Sequence, residues 1–150
     1  MNVKNYLSQL KYYEDLVLMK NAEARHYMSL ATAITVGTGN LGTVIQNSSI
    51  TDRTGDYISA MVDAQRQAEE ILDKYIRLRL TIESQLEGLI EKDEEGNVID
   101  SELYTILHLH FLQGVTFMDA ADIMHRSLRS VFIIYKKALA RFDELYSPDH

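Results

Sequence analysis

Apolar residues at the start of the chain recur at alternating intervals of three and four: Val3, Tyr6, Leu10, Tyr13, Val17, Ala24, Tyr27 and Ala31, with Lys20 the one polar intruder. That spacing gathers them on one stripe of a helix, and a helix with a single apolar stripe needs a partner. The pattern stops near Val36, where Gly37, Gly39 and Gly42 arrive within six residues. A second stripe, Ile58, Met61, Ala68, Leu72, Tyr75, Ile82, Leu86 and Leu89, predicts a helix from about Asp56 to Ile90. Gln65 and Arg79 stand at stripe positions where a strict seam wants apolar groups. The two helices satisfy one another as an antiparallel, coiled-coil-like hairpin, or they pair between two copies of the chain; the stripe is the same in both cases. Between them, residues 37–56 are rich in glycine, serine, threonine and asparagine and read as a connector, in which Leu41, Val44, Ile45 and Ile50 can form a short turn.

The hydrophilic run from Glu91 to Asn97 is a natural boundary, so the division expected is 1–92 for the hairpin and 98–146 for a second module. After the break, Ser101 or Asp100 can cap a helix that uses Leu103, Ile106, Leu107 and Phe111, and Gly114 ends it. Thr116 caps the next helix, with Asp119 in a weak form of the capping box, and Phe117, Ala120, Ala121 and Met124 make its inner face. His125 and Arg126 form a corner, Ser127 is a further cap, and a last helix buries Val131, Ile134, Tyr135, Ala138, Leu139 and Phe142. A short helix, a tight corner and a longer helix are the helix-turn-helix arrangement. Ala121, or its neighbour Ala120, supplies the methyl-sized contact that a steep, close crossing requires. The fold class expected is all-α: a long helical hairpin followed by a helix-turn-helix module.

Charge sharpens this picture. The formal net charge of -7 argues weakly against a nucleic-acid partner for the chain as a whole. Its distribution points the other way: all five basic residues of the last 50 positions, Arg126, Arg129, Lys136, Lys137 and Arg141, fall in a 16-residue window without an acid. A local basic ridge is what a phosphate backbone senses. The helix that begins at Ser127 is then the recognition helix. Arg129, Ser130 and Ile133 lie off its buried stripe as candidates for base edges: Arg129 for guanine, Ile133 for a thymine methyl. Arg126, Lys136, Lys137 and Arg141 flank that face as phosphate contacts, and amides at the starts of the last two helices add to them. Three short amphipathic helices with a basic last helix also occur in protein-interaction modules. The alternative function is therefore a helical adaptor for RNA polymerase or another protein, without DNA binding of its own.

The segment carrying Gly114, Thr116, Ala120, Ala121, Ile123, Met124, Ser127, Arg129, Val131, Ile134, Lys137, Ala138, Leu139 and Phe142 resembles region 4 of the sigma-70 family, which contacts the -35 promoter element. The whole chain looks like the small sigma-like regulators of phages and prophages of Gram-positive bacteria, related to the ArpU family of late-gene regulators. Val44, Ile45, Gln46, Asn47, Ser48 and Ser49 stand where that group has a valine-glutamine-serine-rich connector. The resemblance implies a transcription regulator of phage or prophage genes that binds double-stranded DNA. RNA polymerase is a further partner, as is a second copy of the chain through the N-terminal helices. It puts Leu128, Arg129, Ser130 and Phe132 at promoter-facing positions. Leu128 and Phe132 depart from the charged residues usual in sigma factors, and such an i, i+4 pair can also pack on the preceding helix or a partner.

Other chemistry finds little footing. No cysteine is present, which excludes disulfides, iron-sulfur clusters and thiolate metal sites. Gly37, Thr38, Gly39, Asn40, Leu41 and Gly42 match the dinucleotide-binding pattern G-x-G-x-x-G by letter, but a heptad helix precedes them where a strand is needed. His108 and His110 are two apart on a helix and point to different sides, and His125 reads as a turn residue. Asp93 to Glu95 lack the spacing of a calcium loop, and the pairs Glu69 and Glu70 or Glu94 and Glu95 read as solvated faces. The expectation is a non-enzymatic protein without metal or cofactor. No apolar run reads as a membrane span or a leader, so a cytoplasmic setting in a bacterial host cell is expected.

Overall fold

A computed structural model of the chain describes the backbone of residues 2–41 and 47–147 and the side chains of residues 2–33 and 53–147. Two long helices come first, α1 (Val3–Leu41) and α2 (Asn47–Glu87), packed tightly as an antiparallel pair. A short antiparallel ribbon of β1 (Glu91–Lys92) and β2 (Val98–Asp100) follows. The chain then forms α3 (Glu102–Leu107), which continues as a π-helical turn over His108–Leu112, then α4 (Phe117–Met124) and α5 (Leu128–Tyr146). Among the described residues no helix is long and apolar enough to cross a membrane.

The helices reach further into the segment expected as connector than its composition suggested. Gly37 to Leu41 continue α1, and Asn47 to Asp56 already belong to α2. Glycine, serine and threonine weaken a helix by only about 0.5–1 kcal/mol each, and no proline forbids one here. Gly42, Val44, Ile45 and Gln46, parts of the glycine pattern and of the family-like connector, lie outside the described residues.

Two compact units divide the chain: Met1–Tyr12 with Tyr75–His150, and Tyr13–Lys74. In the second unit, Ala24 and Ala31 of α1 and Ala64 and Ala68 of α2 are buried, and methyl groups let two helix backbones lie close together. Tyr27 and Tyr57 stack alongside, 6.4 Å between ring centres. Lys20, the intruder on the α1 stripe, is half-buried and turns its Nζ to Glu23 Oε2 at 3.3 Å, its stem lying along the seam.

The α2 seam differs from the expected stripe by one position at several points. It follows Tyr57, Met61, Ala64, Ala68, Ile71, Tyr75, Leu78 and Ile82, all buried or half-buried, while Ile58 and Leu72 are exposed. Tyr57 with Ile58, and Ile71 with Leu72, are adjacent apolar pairs, and either member satisfies a period near 3.6. The small residue Ala64 sets the register, and Gln65 and Arg79 then cease to be intruders because Ala64 and Leu78 take their places in the seam.

The first unit contains the main core. Leu7 and Leu10 of α1, Ile82 and Leu86 of α2, Ile106 and Leu107 of α3, and Val131, Ala138 and Phe142 of α5 are almost completely buried. Burial of a side chain the size of Phe142 or Leu107 contributes about 1.5–3 kcal/mol. Polar bonds fix how the elements meet. Tyr6 Oη donates to Gln85 Oε1 at 2.8 Å, and burial pushes the Tyr6 hydroxyl pKa up. Tyr146 Oη donates to the Gln85 carbonyl at 2.6 Å, and Arg79 Nη1 donates to the Leu112 carbonyl at 3.3 Å.

The hydrophilic break is a folded turn inside this unit. Asp93 Oδ1 accepts from the amides of Asn97 at 2.8 Å and Glu95 at 3.0 Å, which holds its carboxyl below the ordinary aspartate range. Gly96, at φ 89°, supplies the left-handed residue that closes the ribbon. A strand signal was hidden because each strand has only two or three residues, all exposed. At the start of α3 the choice of cap falls to Asp100, whose Oδ1 accepts from the Glu102 amide at 2.9 Å, while Ser101 makes no side-chain cap bond.

Gly88, the residue after α2, lies against the end of α5, and a Cβ there would collide with the Tyr146 hydroxyl. Tyr146→Phe is expected to cost about 1 kcal/mol for the lost bond to Gln85. Gly88→Ala, which evicts the same hydroxyl, should cost a similar amount. In urea unfolding of the full chain the double variant should cost less than the two single variants together, and strict additivity would show that the hydroxyl is not what Gly88 accommodates.

Candidate nucleic-acid interface

Two capped helices joined at a fixed corner build the surface. Thr116 begins α4: its Oγ1 accepts from the Asp119 amide at 3.2 Å. Ser127 begins α5 in the same way, its Oγ accepting from the Ser130 amide at 3.1 Å. Both expected caps are thus in place, each satisfying an amide that the helix itself leaves unpaired. Between them α4 ends in the left-handed conformation at His125, φ 54° and ψ 44°. The His125 amide reaches the Asp122 carbonyl at 3.3 Å and the Arg126 amide reaches the Ala121 carbonyl at 2.9 Å, which together are the paired bonds of a Schellman ending. The corner is therefore set by main-chain bonds rather than by side-chain chemistry.

Ala120 is completely buried and Ala121 nearly so; both serve the close packing of α4 on its neighbours. Beside them lies an aromatic cluster. Phe117 stacks on His110 at 4.3 Å between ring centres and meets Tyr135 edge-on at 4.9 Å and Phe132 at 4.9 Å. His110 Nδ1 lies 3.3 Å from the Val115 carbonyl, and His108 Nδ1 lies 2.9 Å from the side-chain Nε2 of Gln113, so each imidazole has a local structural contact. The Tyr135 hydroxyl is buried without a hydrogen-bond partner among the described residues, and burial pushes its pKa up.

The buried stripe of α5, Val131, Ile134, Ala138 and Phe142, leaves the opposite side outward. Leu128, Arg129, Phe132 and Ile133 are exposed there, and Ser130 is half-buried with its Oγ accepting from the Ser127 hydroxyl at 3.0 Å. Leu128, Arg129, Phe132, Ile133 and Lys136 together line an open hollow of about 400 Å³. Phe132 keeps one edge against Phe117 of α4 while 41% of its surface remains exposed, so its ring is held in place and still presented.

The cations divide into two groups. Arg126 is paired with Glu102 at the start of α3, and Arg141 Nη1 with Glu144 Oε2 at 3.1 Å. Arg129, Lys136 and Lys137 are exposed, and no ion pair of theirs lies among the described residues. Half-exposed pairs of this kind are worth about 0–1 kcal/mol, so Arg126 and Arg141 can exchange their partners for another anion at little cost. The pairing of Glu102 with Arg126 spans 24 positions and has no signal in helical periodicity. The exposed Met118 and Ile123 on α4 were likewise not among the candidates.

Comparison with known proteins finds no family model that matches the chain, and no curated protein or solved structure similar to it.

A left-handed backbone disfavours any residue with a Cβ. His125→Gly is expected to raise stability by about 0.5–1 kcal/mol, and His125→Val, branched at Cβ, to lower it. The urea midpoints of the two variants should therefore move in opposite directions from the parent, and a loss on going to glycine would contradict the corner described.

Proposed function

We propose that the chain is a non-enzymatic, sequence-specific DNA-binding regulator of transcription that places the start of α5 in the major groove. The observation that carries this reading is the outward side of α5. Arg129, Lys136 and Lys137 are exposed on a helix whose other side is anchored in the core, within a 16-residue stretch that holds no acid. In this reading Arg129 forks onto a guanine edge, Ser130 has limited freedom because its hydroxyl accepts from Ser127, and Lys136 and Lys137 contact the phosphates on either side. Arg126 and Arg141 join them by releasing Glu102 and Glu144. The phage or prophage setting, inside a bacterial host cell, rests on the resemblance of the Gly114 to Phe142 segment to region 4 of the sigma-70 family.

Counterion release predicts how the binding must behave. With three to five phosphates neutralised, the logarithm of the affinity should fall with the logarithm of salt at a slope of about -3 to -4.5. Arg129→Glu combined with Lys137→Glu should abolish retention of duplex DNA while leaving the helical circular dichroism signal unchanged. Fluorescence anisotropy on the full chain checks both, and binding that ignores salt would remove the proposal.

A specific observation also favours a protein partner. Leu18, Met19 and Met28 on α1 and Ile58 and Val62 on α2 are large apolar side chains that are about half exposed. The hairpin in this second reading binds RNA polymerase, another phage protein or a second copy of the chain. Light scattering of the chain alone, and pull-down of bacterial polymerase, test it: a strict monomer that retains no polymerase leaves these residues without a partner of that kind.

A further inference from the structure

We propose that the hollow on α5 seats the β1–β2 ribbon of a second copy, so that two chains pair with the ribbon of each in the hollow of the other. The ribbon has no partner in its own fold. Every position from Glu91 to Asp100 is exposed, Val98 by 58% and Ile99 by 66%, so two apolar side chains stand in water on a strand that adds nothing to the core. The ribbon is ordered nevertheless. Asp93 Oδ1 accepts from the amides of Glu95 and Asn97 at its tip, and Glu91 and Lys92 pair with Asp100 and Val98 along its length. A projecting segment that is already ordered loses little freedom when a surface closes over it.

The matching surface is on the same molecule. Leu128, Arg129, Phe132, Ile133 and Lys136 line the open hollow of about 400 Å³, and Lys137 follows on the same helix. Arg129, Lys136 and Lys137 have no ion pair among the described residues, and neither have Glu91, Glu94 and Glu95 of the ribbon, whose one cation is Lys92. Exposed hydrocarbon beside uncommitted carboxylates thus complements a hydrocarbon floor among uncommitted cations. An uncharged apolar partner would strip water from those cations without replacing it, and a purely acidic one would leave Phe132 and Ile133 in water. The ribbon offers both halves.

Within one chain the two surfaces do not cover one another, since both remain exposed, but they are neighbours: Glu102, two positions after the ribbon, pairs with Arg126 just ahead of α5. Neighbouring surfaces on one copy can both face a single partner across a two-fold axis, the commonest symmetry of paired chains. A hollow with five lining residues is much smaller than the roughly 20–30 residues that each side of a stable complex contributes. Even doubled by symmetry the contact is a weak one, with a dissociation constant on the order of tens of micromolar. The pairing does not depend on the DNA-binding reading; where α5 also takes duplex DNA, the two compete for one surface.

Sedimentation equilibrium of the full chain, from micromolar to near-millimolar concentration, should show the mass rising from one copy to a ceiling of two, less readily as salt is raised. Val98→Thr with Ile99→Thr, which keeps branched side chains on the strand, should weaken pairing about tenfold, and so should Ile133→Ser, whose side chain lies outside the core. Helical circular dichroism should be unchanged in both. An equal mixture of these two variants restores one contact of the two, because the first keeps its hollow and the second its ribbon, and it should pair more tightly than either variant alone. A parent chain that stays monomeric, pairing that the variants leave unchanged, or a mixture no tighter than its components overturns the inference. Retention of duplex DNA, measured separately on the parent, decides the DNA-binding reading and not this one.

Discussion

Burial of one side of α5 is the constraint on which the C-terminal half depends. Val131, Ile134, Ala138 and Phe142 are drawn into a core shared with α3 and with the outer ends of α1 and α2. Once that stripe is inside, the helix has no rotational freedom left, and the residues that face away follow from 3.6 residues per turn alone. The positions of Arg129, Ile133 and Lys136 on the outside are therefore products of the hydrophobic effect acting on other residues. The hairpin ends are part of the same arrangement: Leu7, Ile82 and Leu86 belong to the core that holds α5.

Much of this was legible in the amino-acid order, and the exceptions have physical causes. Caps were readable because Thr116 and Ser127 act within three residues, where the chain has few alternatives. Adjacent apolar pairs, Tyr6 with Leu7 on α1 and Ile71 with Leu72 on α2, left the register of both long helices open until packing chose Leu7 for full burial and Ile71 over Leu72. Short-range spacing also cannot reveal a bond such as that of Arg126 to Glu102, or the gathering of His110, Phe117 and Tyr135 into one cluster. These depend on where whole helices lie. The outward side of α5 was read residue by residue, but its common hollow emerged only once Phe132 had leaned on Phe117.

A chain of net charge -7 that presents a cationic ridge carries its own repulsion toward most of a polyanion's surface. In the proposed reading acidic residues elsewhere penalise loose, unspecific approach, and the ridge offers relief. For the proposed regulator that contrast narrows the geometries in which duplex DNA is tolerated, so orientation is selected before any base is touched. Screening by salt weakens both the attraction and the repulsion, and it weakens discrimination along with affinity.

The π-helical turn at the end of α3 has a consequence for the evolution of this surface. There the Gln113 amide bonds the carbonyl of His108, five positions back at 3.1 Å, so the helix holds one residue more than its regular winding needs. That surplus residue changes the angular phase at which Leu109 and Leu112 reach the core and at which His110 meets Phe117. Excising a single position from this turn would tighten the coil and rotate the chain that follows by about 100°. A lineage can therefore vary the outward letters of α5 freely, while the length of the segment before it stays fixed by winding geometry.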